Sequence, residues 1–179
     1  MNTSSPRMRG SSGFGEFGPT AAAAGTTMLR AALFAMFSLA ASTAFADCLT
    51  LASHPEGQVL AALVLSPADP SFSLTYVHSV TRTPVTERYV VAGGELVEKQ
   101  IRFTQHGPGL PTEADPGGTY TNRNGEFIVT MNRRFPVIVM QVHADQSPRL
   151  DVGKRAADLA QWGNRALSLG LVHGPCTES

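Results

Sequence analysis

Apolar and polar positions divide the chain into one apolar run near its start and a series of short alternating runs after it. Leu49–Ala52 is short and apolar, and Gln58–Leu65 is almost continuously apolar between Glu56-Gly57 and Ser66-Pro67, which predicts a buried strand. Ser71–Val80 alternates: Phe72, Leu74, Tyr76 and His78 point one way, Ser73, Thr75, Val77 and Ser79 the other. This is a half-buried strand with its aromatic face inward. Thr81-Arg82-Thr83-Pro84 turns the chain into the next strand, Val85–Val91. A loop of two or four residues sets Tyr76 opposite Tyr89 and His78 opposite Glu87, all on the inward face.

Ala92-Gly93-Gly94 is the next turn. A two-residue loop would bury Glu98, Gln100 and Arg102. A three-residue loop with Gly94 left-handed turns Val97, Lys99, Ile101 and Phe103 inward instead. That register sets Arg88 beside Glu98 outside and Glu87 beside Lys99 inside, and it predicts a polar row of His78, Glu87 and Lys99 across three strands. Such a row is either a self-satisfied cluster near the rim or the lining of a ligand pocket.

His106-Gly107-Pro108-Gly109-Leu110-Pro111 forms a rigid turn, and Thr112–Gly125 reads as a long polar loop around Tyr120. Glu126–Met131 and Phe135–Val142 read as strands separated by Asn132-Arg133-Arg134, whose arginines suit a solvated turn or an anion. Arg149–Val152 is a short strand, Arg155–Trp162 a helix with Gly163 as its cap, and Asn164–His173 the last strand. The pattern predicts an all-β domain, an antiparallel sandwich or partly open barrel of about eight strands with one short helix.

The apolar run near the start has the layout of an export signal. Met28-Leu29-Arg30 is basic, Ala31–Ala41 is apolar except for Ser38, and Ser42-Thr43-Ala44-Phe45-Ala46 ends in an Ala-x-Ala pattern. The run falls short of the ~20 residues that span a bilayer. The expectation is therefore cleavage after Ala46 and a layout of three parts: residues 1–27 a disordered extension or mis-assigned start, 28–46 the signal peptide, and 47–179 a single exported β domain, periplasmic or secreted. No transmembrane candidate remains after cleavage.

The whole chain balances 14 Lys plus Arg against 14 Asp plus Glu. Without the leader's Arg7, Arg9, Arg30 and Glu16, the exported part is slightly acidic, which argues against a nucleic-acid partner. Cys48 and Cys176, near its two ends, are expected to pair in an oxidising compartment. A lipidated Cys48 would need a small residue before it, and Asp47 stands there. His54, His78, His106, His143 and His173 follow no metal-ligand spacing, and no nucleophile elbow or phosphate-binding glycine pattern occurs, so no metal, cofactor or catalytic residue is assigned.

Tyr76-Val77-His78-Ser79-Val80, then Thr83-Pro84-Val85 and Glu87, resembles the opening signature of a family of small exported bacterial proteins, the domain of unknown function 1850 family. Gly107-Pro108-Gly109-Leu110-Pro111 resembles its second signature, with Pro108 where a small residue is more usual. The resemblance runs from about Leu60 to Val172. It implies an accessory role beside tripartite (TRAP-type) solute transporters, with a solute-binding protein or membrane subunit as partner, and it brings no established activity. The residues expected to contact a ligand or partner are His78, Ser79, Glu87, Tyr89, Lys99, Gly107, Gly109 and Pro111. A small hydrolase using His78 and Glu87, and a purely structural exported module, are the alternatives to a binding protein.

Overall fold

The computed structural model describes residues 47–173 and Cys176, so the expected leader and extension lie outside the described residues. Eleven strands follow in order: β1 (Asp47–Ser53), β2 (Val59–Val64), β3 (Ser71–Val77), β4 (Pro84–Ala92), β5 (Glu95–Phe103), β6 (Tyr120–Arg123), β7 (Glu126–Phe135), β8 (Val137–Val142), β9 (Arg149–Val152), β10 (Arg155–Asp158) and β11 (Arg165–His173). Short 3-10 turns at Ala144–Gln146 and Leu159–Trp162 are the sole helical segments described. The strands form two antiparallel sheets that do not close into a barrel. One has the order β2-β1-β11-β8, the other β10-β9-β3-β4-β5-β7-β6.

The chain changes sheets at Pro136. This residue cannot donate to a ladder, so β7 ends in the larger sheet and β8 begins in the smaller one. Asn132, Arg133 and Arg134 therefore lie inside β7 rather than in a turn. Arg133 is bound by Asp115 through two hydrogen bonds of 2.6 and 2.8 Å, and Arg134 reaches Glu95 at 3.1 Å.

Two apolar cores result. Leu49, Leu51, Leu167 and Leu169 of the smaller sheet meet Phe72, Leu74, Tyr89 and Leu150 of the larger one. The second core is built from Val85, Ile101, Phe103, Val129 and Met131, all in the larger sheet, and Leu110 and Ala114 of the following loop pack on it. Part of the large sheet's inner face is thus covered by the other sheet and part by the 107–118 loop. Removing apolar surface from water stabilises both at roughly 25 cal/mol per Å².

Several expected elements differ. The Gln58–Leu65 segment forms an edge strand rather than a buried one: Val59 is 53% exposed and Val64 39%. Arg155–Trp162 is no helix. Gly153-Lys154 is a two-residue turn that folds Arg155–Asp158 back onto β9, pairing Val152 with Arg155. Asp158 then caps the 3-10 turn by accepting from the Ala160 amide at 2.9 Å. The long loop contains β6, because Asn124-Gly125, both at positive φ, makes a two-residue hairpin that pairs Arg123 with Glu126.

Cys48 and Cys176 form the expected disulfide, with Cα atoms 5.5 Å apart. A sulfur engaged in that bond is not available for lipidation. Among the described residues no helix is long and apolar enough to cross a membrane.

Candidate functional site

The geometry of the site is set by two departures from simple hairpin pairing. The first is the connection between β3 and β4. It has six residues, 78–83, and its even length keeps Tyr76, Glu87 and Tyr89 on the inward face. The register, however, places Phe72 opposite Tyr89, Leu74 opposite Glu87 and Tyr76 opposite Val85. His78 therefore does not face Glu87. It has left the strand to organise the loop: its amide donates to Thr83 O at 2.9 Å, and its carbonyl accepts from Arg82 N at 2.9 Å. The amides of Val80 and Thr81 both donate to its Nδ1 at 3.2 Å. With Nδ1 accepting, the ring hydrogen belongs on Nε2, which donates to the Pro108 carbonyl at 3.0 Å.

That last bond joins the two sequence signatures into one structural unit. Gly107 packs flat against the His78 ring: a Cβ built there would lie 2.7 Å from His78 Cε1 and 2.8 Å from Thr81 Cγ2. Gly109 adopts φ +87°, a conformation that favours glycine, and Leu110 then drops into the second core. Pro111 is half-buried beside it, and Ser79 is exposed in the loop. His78, Gly107, Gly109 and Pro111 thus serve as a brace between the hairpin and the turn.

The second departure is a bulge in β5. The Gly93-Gly94 turn has two residues, not three, both at positive φ, and pairs Ala92 with Glu95 and Tyr89 with Glu98. Past Glu98 the pairing slips, so that Arg88 meets Gln100 and Glu87 meets Ile101. Lys99 is the extra residue. The slip lets Leu96 and Glu98 face inward before it and Ile101 and Phe103 after it. The expected Arg88–Glu98 pair outside and Glu87–Lys99 neighbours inside are therefore not formed. Lys99 turns outward and donates to Asn132 Oδ1 at 2.5 Å. Glu98 instead is 5% exposed.

What the two departures bring together is a cluster at the seam between the cores. Tyr89 belongs to the first core, stacked on Phe72 at 5.0 Å between ring centres, and Tyr76 packs against the second. Tyr76 donates its hydroxyl to Glu87 Oε1 at 2.9 Å, and Tyr89 donates to Oε2 at 2.7 Å. Burial, then the charge of Glu87 and, more weakly, that of Glu98, hold both phenols far above their ordinary pKa, so they remain donors. The Glu98 carboxyl is pushed up to about 7, by burial first and by the Glu87 charge second, against the pull of Arg133. Sequence reasoning assigns Glu98 to the outer surface. The signal that reveals its position is a change of phase in the apolar pattern between Leu96 and Ile101.

Glu87 and the two tyrosines form the floor of a cavity of about 410 Å³ between the sheets. Leu74, Phe135, Ile138, Met140, Val142 and Leu159 supply apolar wall. Gln141, Gln146 and Arg149 add polar groups, and Arg149 is engaged by Asp151 at 2.7 and 2.8 Å. Volume, apolar walls and a few convergent polar groups are the attributes of small-molecule sites. Glu98 is not among the lining residues. Among the described residues no group of three His, Cys, Asp or Glu side chains is placed to hold a metal ion.

Of the sequence-predicted contact residues, the structure therefore brings Glu87 and Tyr89 to the cavity, gathers His78, Gly107, Gly109 and Pro111 in the brace, and leaves Ser79 and Lys99 on the surface. Tyr76, Leu74 and the β8 side chains are cavity residues that the prediction omits. No curated protein and no solved structure matches the chain. Residues 72–159, from β3 to the second 3-10 turn, match the family model described as Domain of unknown function (DUF1850), and they include both signatures, the clamp on Glu87 and Glu98. The chain belongs to the DUF1850 family.

Proposed function

We propose that the protein is an exported, non-enzymatic binding module that serves a tripartite (TRAP-type) solute uptake system, with the cavity between the sheets as its ligand site. The observation that carries this reading is the Tyr76–Glu87–Tyr89 clamp at the floor of an apolar cavity of about 410 Å³. A half-buried carboxylate with two tyrosine donors, set beside apolar walls, gives the cavity the few placed polar groups that orient a ligand. The signal-peptide pattern ending at Ala46 supports export to the periplasm, and the family resemblance supports the transporter context, with a solute-binding protein or transporter subunit as the partner.

Binding is favoured over acid–base chemistry on two grounds. His78, the histidine that would act with Glu87, has both ring nitrogens committed to loop backbone. Glu98, the carboxyl raised toward neutrality, does not line the cavity.

The test is a thermal-shift screen of the exported protein against small solutes, repeated on Leu74→Trp, which fills the cavity. A solute that stabilises the wild type and not the variant supports the reading. A screen in which every stabilising solute acts equally on both removes the cavity from consideration. Co-purification with a TRAP-type solute-binding protein supports the transporter role separately, and retention no greater than that of an unrelated protein counts against it.

A further inference from the structure

The clamp specifies more than a place to bind. An ionised carboxylate has about four lone-pair positions and no hydrogen to give. Tyr76 and Tyr89 occupy one position on each Glu87 oxygen. Their own hydrogens are thereby spent, and burial together with the neighbouring acidic charge keeps them on the phenols. What remains open toward the cavity is acceptor capacity: two carboxylate lone pairs and the lone pairs of two phenol oxygens. The floor offers no free donor.

A bound anion would meet the Glu87 charge and find no hydrogen at the floor. A neutral alcohol would fill one acceptor and leave the charge uncompensated. A protonated amine brings both donors and the opposite charge. The one cation among the lining residues, Arg149, is engaged by Asp151 and 58% exposed, so it does not neutralise the floor. Above the floor, Leu74, Ile138, Met140 and Leu159 offer hydrocarbon surface to the rest of a ligand.

We propose that the cavity takes an organic amine in its protonated form, the ammonium seated on Glu87 between Tyr76 and Tyr89 and its apolar body against Leu74, Ile138, Met140 and Leu159. This rests on the cavity being a ligand site and names the class of ligand. It gives the uptake system it would serve a cationic, partly apolar cargo.

Three probes of equal length separate the possibilities: hexylamine, 1-hexanol and hexanoate, titrated at pH 7 into the exported protein and followed by amide chemical shifts. Hexylamine is expected to bind at least about tenfold tighter than hexanol, the effect of one charge-assisted contact, with hexanoate weakest. Glu87→Gln, nearly identical in shape, is expected to bring amine and alcohol to equal affinity. Hexylamine and hexanol binding alike to the wild type overturns the amine proposal and leaves the cavity reading standing. Hexanoate binding tightest overturns it in favour of an anion. If none of the three perturbs the residues lining the cavity, the proposal and the cavity reading fall together. The wild-type comparison needs no variant, so an unstable Glu87→Gln does not spare the proposal.

Discussion

Glu98 makes the fold's stability depend on pH in a direction opposite to that of a salt-bridged carboxylate. Its carboxyl is raised from an ordinary value of 4.5 to about 7 in the folded protein. Below about pH 4.5 the group is protonated in both states and costs nothing. As pH rises from there to about 7, the unfolded chain ionises first while the folded chain still holds its proton. Stability is lost over that window, and the loss is complete once the folded group has also ionised. At 1.36 kcal/mol per pH unit the shift corresponds to roughly 3 kcal/mol, of which about 2 kcal/mol falls above pH 5. Glu98→Gln removes the titration and retains the shape. The assay is urea denaturation of both proteins between pH 5 and pH 8, with stability taken as the difference between them so that other titrating groups cancel. The wild type is expected to lose about 2 kcal/mol relative to the variant as pH rises. A difference that stays constant across this range refutes the reasoning, and one that grows in the wild type's favour shows that Glu98 is ion-paired instead.

Other substitutions probe the clamp, the brace and the disulfide. Tyr76→Phe removes one of the two hydrogen bonds to Glu87 and is expected to cost about 1–2 kcal/mol by urea denaturation. A change under a few tenths would mean that water replaces the hydroxyl. Gly107→Ala forces a methyl onto the His78 ring and is expected to cost about 1–3 kcal/mol. Because the clashes are with that ring and the Thr81 methyl, the cost should shrink markedly in a His78→Ala, Thr81→Ser background, and simple additivity would place the strain elsewhere. Reduction of Cys48–Cys176 is expected to destabilise the domain by about 2–5 kcal/mol, measured as the shift in urea midpoint with and without reductant. Two alkylatable thiols in the unreduced protein would contradict the bond.

The sequence makes the strand that opens the family signature legible to the level of single side chains. Ser71–Val77 alternates cleanly, and Phe72, Leu74 and Tyr76 do point inward. Because side-chain direction depends on the parity of the loop, Tyr76, Glu87 and Tyr89 share one face whether the connection has two, four or six residues. Which of them touch depends on loop length itself. Nothing local in Thr81-Arg82-Thr83-Pro84 announces that His78 leaves the ladder to accept two amides on its own ring. The β5 bulge hides Glu98 for a related reason. Each of the two uniform registers for Glu95–Phe103 accounts for half of the strand, Leu96 by one and Ile101 with Phe103 by the other, and alternation alone holds no reason to change phase at Lys99. At Asn124-Gly125 the hairpin signal is present and strong, and reading the stretch as undivided polar loop conceals β6. The Ala-rich Arg155–Trp162 stretch mimics a helix because alanine favours that state, and pairing with β9 across the Gly153-Lys154 turn overrides the preference.

β1 and β11 are the first and last strands of the domain, and they pair along their whole length, from Asp47 with His173 to Ser53 with Leu167. β11 is also the strand that holds β8 in the smaller sheet. That sheet is therefore a clasp, made by the first and last described strands and locked by the disulfide beside it. A chain emerging from its N-terminus has β1 available at once and must wait for nearly all of the domain before its neighbour arrives. Closing so long a loop is the slow, non-local kind of contact that retards folding. Until then the apolar sides of β1 and β2, with Leu49, Leu51 and Leu63, have no finished core to enter. Loss of the last fifteen residues would remove β11 from the middle of the sheet rather than trim its edge. Truncation that reaches β11 is accordingly expected to dismantle the smaller sheet.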